Sequence, residues 1–306
     1  MTSTVIVGER RDPHVSAVLT HLTAKPVIVD AVSLASTKFI WSEGQLVLED
    51  TEIDLAGETN VTIRGWARRL APPDWLVDVQ AESLDAAIRA SWLTIIGALL
   101  RARGIHWLSG IDSITAAENK LVMEAAMRRL QIDTPATVVT NQRDALEERL
   151  GSEFVAKPLG PGHYFAGEKA FNVFARAMSI DEVDDQMLAA APFLLQKRLT
   201  ARRHHRVVVV GGQVWGGCVD AAGLPVDWRA LPAAHTSFVA MTVPDELSSA
   251  ALAVANELGL GYSSQDWIET DDGYSIVDVN PSGQWMFLPD PIGDEVARAI
   301  ARWLDG

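Results

Sequence analysis

The stretch "YSIVDVNPSGQW", Tyr274 to Trp285, decides how the chain is read. Ile276, Val277 and Val279 have the composition of a buried strand. Within it stand a carboxylate, Asp278, and a carboxamide, Asn280, before a break at Pro281-Ser282-Gly283. An ionised Asp is costly in such a place unless a cation pairs with it. The preceding "DWIETDDG" reads as the other arm of a hairpin. With a loop at Asp271-Asp272-Gly273, Thr270 pairs with Tyr274, and counting back sets Asp266 opposite Asp278. Opposed side chains on one face lie about 4.5–5.5 Å apart at Cβ. Asn280, two residues on, shares that face. Three hard oxygen donors at one spot suit Mg²⁺, which keeps waters or takes phosphate oxygens besides. A bulge at Gly273 would move the register by one. The plainer alternative is a satisfied polar patch at a strand end.

The bulk numbers bound the rest. A chain of 306 residues, 48% hydrophobic, can bury sizeable cores in one large or several small domains. One cysteine, Cys218, rules out an internal disulfide framework and argues against a Cys-based metal site. The start, "MTSTVIVGERRD", lacks the layout of a signal peptide. The apolar run "SWLTIIGALL", between Arg89 and Arg101, is half a membrane span. A cytoplasmic protein with no membrane partner is expected. A net charge of −14 argues against nucleic acid, whose phosphates call for a basic face. Yet "QKRLTARRHHR" gathers Lys197, Arg198, Arg202, Arg203 and Arg206, which points either to a local anion site or to a solvated loop.

Along the chain, "STVIVG", a helix opened by Asp12-Pro13, and "PVIVD" read as an open α/β start without a Gly-rich dinucleotide fingerprint. "KFIW-SEG-QLVLE" reads as a hairpin and "NVTIRGW" as a strand. One long helix is expected from about Ser83 to Arg103, capped by Gly104, and one continuous helix from about Thr115 through "AAENKLVMEAAMRRLQI". "EFVAKP" is a strand, "LGPGHYFAGE" a loop, "AFNVFARAM" and "FLLQKRL" strands, and "RVVVV-GG-QVWGGCV" a hairpin. "DELSSAALAVANELGL" and "GDEVARAIARWL" are amphipathic helices. Breaks fall near 113 and 190. Lys120 sits early in a helix, Lys157 ends an apolar strand, and Arg206 opens another. With the carboxylates, these cations describe a nucleoside triphosphate site in which metal and cations offset phosphoryl charge. No Gly-x-Ser-x-Gly motif or nucleophilic Cys is evident.

These segments, in this order, resemble the ATP-grasp superfamily of carboxylate-activating ligases. "AAENKLVMEAAMRRLQIDTPATVVTN" is similar to its Lys-bearing helix, "FVAKPL" to its second phosphate lysine, and "FLLQKRL" to its adenine hinge. "RVVVVGGQVWG" is similar to its Arg-led hairpin and "QDWIETDDGYSIVDVNPSGQW" to its metal-binding end. "RGWARRLAP", "VDWR" and "NPSGQWMF" resemble the microviridin-type peptide maturases, the graspetide synthetases. Lys197, His204-His205 and Asp278 depart from the family's usual acidic hinge residue, acidic residue before the Arg, and Glu.

The resemblance implies an ATP-grasp fold, part α/β and part α+β. Residues 1–113 would form an N-terminal pre-ATP-grasp α/β domain, 114–190 a central lobe, and 191–306 a C-terminal antiparallel-sheet lobe with the metal. ATP and Mg²⁺ are the implied cofactors. Lys120 and Lys157 would contact phosphates, and Gln196, Lys197, Arg198 and Leu199 would line adenine. Arg206 and Arg229 would hold phosphoryl and acyl-phosphate oxygens, as cations that keep their proton. Asp266, Asp278 and Asn280 would bind Mg²⁺. Arg64, Arg68 and Arg69 would face a ribosomal precursor peptide whose Asp or Glu side chains become acyl phosphates and then ester or amide crosslinks. A ligase adding amino acids to a peptide or protein tail shares the same phosphate residues, and a binding module without turnover is the third reading. A homo-oligomer is compatible with each.

Overall fold

A computed structural model describes residues 4–72, 74–160, 162–166 and 169–306. Of the expected loop "LGPGHYFAGE", Pro161, Gly167 and Glu168 lie outside the described residues. The first part is a parallel sheet in the order Val27–Val29, Thr4–Val7, Ile63–Ala67, Ile105–Trp107. Thr4–Val7 at its centre is buried at every position because elements cover both of its faces. The helices Pro13–Leu19 and Ile292–Asp305 pack against each other beside it, so the end of the chain closes over its beginning. An antiparallel meander, Phe39–Ser42, Gln45–Leu48 and Thr51–Asp54, joins this part.

The central sheet runs Arg176–Ser179, Glu153–Pro158, Phe193–Lys197, Thr137–Val138, with its own core of Leu146, Phe154, Met178 and Leu195. Phe193–Lys197 lies beyond the break expected at 190 but pairs within this sheet. The break expected at 113 falls inside the helix Ile111–Glu118. The expected loop contains a strand, His163–Ala166, paired with Lys169–Asn172.

The C-terminal sheet is antiparallel, in the order Val239–Met241, Gln213–Asp220, Arg203–Val210, Tyr262–Thr270, Gly273–Asn280. Val207 and Val209 join the apolar cluster with the helix Asp245–Glu257. Val208 and Val210 join the opposite cluster with Ile292–Asp305. The run "RVVVV" is thus apolar at every position because both of its faces are covered. Gly211 and Gly212, at φ +54° and +85°, make the tight turn, a conformation that suits glycine.

Two helices differ from expectation. The long one spans Leu84–Leu99, with Ser83 accepting from the Ala86 N–H. Gly104 is not its cap. A Cβ there would lie 2.3 Å from the Asp54 carbonyl oxygen, so close backbone approach demands glycine. The second expected helix is two, Ile111–Glu118 and Lys120–Leu130. Between them Asn119 leaves helical geometry, and its side chain accepts from the Leu121 and Val122 N–H groups. Lys120 is therefore the first residue of a capped helix rather than a mid-helix residue.

Candidate active site

Asp266 stands opposite Asp278, although two features differ from the simple count and cancel. The loop is Asp271-Asp272, with Thr270 paired to Gly273, and a bulge interrupts the ladder between Asp266 and Trp267. The bulge takes up the residue that the shorter loop releases. Asn280 pairs with Ser264 at the end of the same strand. Its Oδ1 accepts from the Ser282 N–H at 3.0 Å, which identifies that atom as the oxygen.

A cleft of about 1500 Å³ separates the central sheet from the C-terminal sheet. Its walls include Lys120, Lys157, Gln196, Lys197, Arg198, Leu199, Arg229, Asp266 and Asp278, brought together from separate parts of the chain. Lys120 Nζ lies 3.0 Å from Asp278 Oδ1. Lys157 Nζ donates to the Val277 carbonyl oxygen at 3.2 Å. Burial pulls the Lys157 amine down to about 8, against the opposing pull of Asp278. Burial works against the charge of Asp278, but Lys120 and Lys157 together hold it below the usual carboxylate range.

The segment expected to receive adenine, Gln196 to Leu199, lines the cleft. Gln196 is buried, with Nε2 donating to Thr137 Oγ1, while Lys197 is exposed and its N–H is used by the Ala136 carbonyl. The other basic residues of "QKRLTARRHHR" are largely spent nearby. Arg198 faces Glu153 at 3.5 Å, Arg202 faces Asp271 at 3.3 Å, and Arg203 faces Glu269 at 3.7 Å.

Arg206 and Arg229 play unlike parts. Arg229 reaches the cleft wall while its Nε and Nη2 both bind Asp227, each at 2.8 Å. These bonds raise the Arg229 guanidinium above its ordinary range. Asp227 also accepts from the Ala175 N–H at 3.0 Å, which ties the segment after the Lys169–Asn172 strand to this loop. Burial opposes the Asp227 charge, yet the Arg229 bonds keep its carboxyl below the usual range. Asp227 lay unread in "VDWR", although an Asp two residues before an Arg on a short turn is a signal for such a pair. Arg206 is buried below the wall, its charge over the rings of Trp228 and Phe287 at 5.7 and 5.5 Å, with Nη1 donating to Ser264 Oγ. Its Nε lies 3.2 Å from Asp266 Oδ1, near enough for attraction but misaligned for a hydrogen bond.

The carboxylates fit a cation. Asp266 Oδ1 is a buried oxygen with no hydrogen-bond donor among the described residues, and Asp278 faces it across the ladder. No group of three or more His, Cys, Asp or Glu side chains converges among the described residues. Asn280, exposed at the end of the strand, is not among the described residues that line the cleft; two carboxylates suit an ion that completes its shell with water and phosphate oxygens.

The first-domain arginines do not gather at this cleft. Arg64 donates to the Trp303 carbonyl oxygen at 2.6 Å and stacks over that ring. Arg68 is 2% exposed and held by the chain's own Ser282 carbonyl and Asp12. Arg68 is enclosed by its own chain, whereas Arg64 is half-buried with one guanidinium nitrogen taken by the Trp303 carbonyl. Arg69 is half-buried and forms no hydrogen bond or ion pair among the described residues.

No protein-family model matches the sequence, and no curated protein matches it. Among solved structures, one similar fold is the macrocyclase MdnC of Microcystis aeruginosa MRC, bound with precursor peptide MdnA: 19% identity, 98% of each chain covered, TM-score 0.79. Another is a Chryseobacterium gregarium RiPP-associated ATP-grasp ligase in complex with ADP and a leader and core peptide: 16% identity, 99% of this chain and 96% of that one, TM-score 0.83. A third is the ATP-grasp ligase PsnB complexed with a phosphomimetic variant of minimal precursor, Mg and ADP: 20% identity, 99% and 98% covered, TM-score 0.76. The chain has the ATP-grasp fold. The cleft lies between the central sheet and the C-terminal sheet of this fold. Among the described residues no helix is long and apolar enough to cross a membrane.

Proposed function

We propose that this chain is an ADP-forming ATP-grasp ligase that activates Asp or Glu side chains of a ribosomal precursor peptide and closes ester or amide crosslinks within it. One observation carries the reading. Asp266 and Asp278, paired across the hairpin, stand beside Lys120, Lys157 and Arg229 on one cleft. A cation pair, a fixed guanidinium and a hard-metal site together serve phosphoryl transfer, in which positioning and charge do most of the work.

Lys120 and Lys157 bind the phosphates, and the backbone of Gln196 to Leu199 receives adenine. Asp266, Asp278 and Asn280 would hold Mg²⁺, which neutralises charge building on the transferring group. Arg229, oriented by Asp227, meets the phosphoryl and acyl-phosphate oxygens. Arg206, below the wall, orients Asp266 rather than touching the nucleotide. Of Arg64, Arg68 and Arg69, Arg69 alone has no hydrogen-bond or ion-pair partner among the described residues, and it is the candidate peptide contact. The peptide partner is supported by the precursor complexes of MdnC, the Chryseobacterium gregarium ligase and PsnB.

Mass spectrometry of an acidic Ser/Thr/Lys-bearing precursor incubated with the enzyme, ATP and Mg²⁺ tests this. Loss of one water per ring, with one ADP released for each, is expected. A mass gain equal to an added amino acid assigns the chain to tail-extending ligases instead. AMP as product overturns both readings, and peptide binding without ATP consumption assigns a binding module.

A further inference from the structure

Asp12, His14 and Arg68 form a buried polar cluster in the first domain, far along the chain from the carboxylates. Asp12 Oδ1 accepts from the His14 N–H and lies 2.8 Å from His14 Nδ1. Arg68 Nε stands 3.3 Å from Asp12 Oδ2, close but not aligned as a hydrogen bond. The free end of the cluster is aimed at the turn that follows Asn280. Arg68 Nη1 donates to the Ser282 carbonyl oxygen, and His14 Nε2 accepts from the Trp285 N–H at 3.4 Å. The His14 ring meets the Trp285 ring edge-on at 4.4 Å. Accepting at Nε2 places the imidazole proton on Nδ1, where Asp12 receives it at 2.8 Å, and the Arg68 Nη2 at 3.3 Å from that nitrogen is then a neighbouring charge rather than a donor to it. Burial favours this neutral form by lowering the His14 pKa.

Ser282 is the link. Its N–H is held by Asn280 Oδ1 and its carbonyl by Arg68, so one residue joins the carboxamide to the first domain. The neighbouring Gly283 carbonyl accepts from the Tyr262 hydroxyl at 2.9 Å. A Cβ on Gly283 would lie 2.4 Å from Ser264 Cβ, so the turn has no slack on that side. A buried Arg, Asp and His is a costly way to hold a turn that apolar packing could hold. The geometry that it yields is a carboxamide oxygen fixed in direction.

We infer that Asp12, His14 and Arg68 are positioning residues for the metal site, fixing the 281–285 turn so that Asn280 Oδ1 meets the cation beside Asp266 and Asp278. This rests on the proposed reading of those three residues as Mg²⁺ ligands. Outer partners that orient a ligand typically change metal affinity about 10–100-fold when removed.

The test uses the double variant Asp12→Asn/Arg68→Met, which removes both charges together and strands neither. The readouts are Mn²⁺ affinity of the ADP complex, from electron paramagnetic resonance of free Mn²⁺, and ADP affinity in EDTA by calorimetry. Mn²⁺ affinity is expected to fall by about tenfold or more, with ADP affinity in EDTA unchanged. His14→Gln, which keeps the Asp12–Arg68 pair but removes the ring that joins Asp12 to Trp285, is expected to give a smaller loss in the same direction. If the double variant does not fold, Arg68→Lys and His14→Gln decide the matter by the same readouts. Parental Mn²⁺ affinity in folded variants, whatever their melting temperature, shows a merely structural cluster and overturns the inference. Asp278→Asn is measured alongside. If it too keeps parental Mn²⁺ affinity, the metal reading itself has failed.

Discussion

Lys157 shows how one side chain is tuned by its place. Its amine, pulled down to about 8 by burial, is largely neutral at pH 9 in the free protein. Between about 8 and the ordinary Lys value the unfolded chain binds more protons, so this group makes stability rise with pH across that window. A bound polyphosphate favours the charged form. ADP binding at pH 9 should therefore take up a proton, seen as a dependence of calorimetric enthalpy on buffer ionisation. Lys157→Arg should abolish the uptake, because guanidinium stays charged, and uptake unchanged in that variant would refute the assignment. Asp227 is the second residue-scale case. Asp227→Asn breaks the paired bond to Arg229 and weakens the tie to Ala175. A fall in kcat on the order of a hundredfold is expected, with ADP affinity little changed. Loss in KM for ATP alone would show that Arg229 binds substrate without acting on the transferring group.

At the scale of elements, the break at Asn119 matters because it sets where Lys120 points. The cap satisfies N–H groups at the start of the helix Lys120–Leu130. Asn119→Ala should cost about 1 kcal/mol of stability and fray the turn that carries the lysine. The expected result is a raised KM for ATP and an unaltered kcat, with Asn119→Ser restoring both. A variant with lowered melting temperature but parental KM would separate the cap from the site. The bulge beside Asp266 is a comparable device: it lets a two-residue loop and a paired carboxylate coexist on one hairpin.

At the scale of the molecule, the buried histidines His14, His204 and His205 bind protons less readily than free imidazole, chiefly through burial. Below about pH 6.5 the unfolded chain therefore takes up more protons than the folded one, and stability falls as pH falls through that window. Asp12 adds its loss only further down, below the ordinary carboxylate range. Melting temperature should drop between pH 7.5 and 5.5, and His204→Gln should flatten that slope. The same slope in this variant would remove His204 from the account. His14 differs in kind, since it joins the first domain to the turn after Asn280, and its substitution should act on metal affinity as well as on acid stability.

Sequence alone determined the pieces whose physics is local. The tight Gly-Gly hairpin, the two-face burial of "RVVVV", and the carboxylate-bearing strand before Pro281 follow from period, turn chemistry and the cost of burying charge. The opposition of Asp266 and Asp278 was countable, though the count was right only because a shorter loop and a bulge cancel. Tertiary structure decided which cations face the carboxylates. Arg206 and Arg68 look alike as letters, yet one lies under the cleft wall and the other is enclosed by the turn after Asn280. Long charged side chains can reach several partners, and only the packing of distant segments selects among them. For the same reason Phe193–Lys197 joined the central sheet rather than the lobe that follows it: strand pairing is a non-local choice, made by the edges of Glu153–Pro158 and Thr137–Val138, which no pattern within those five residues contains.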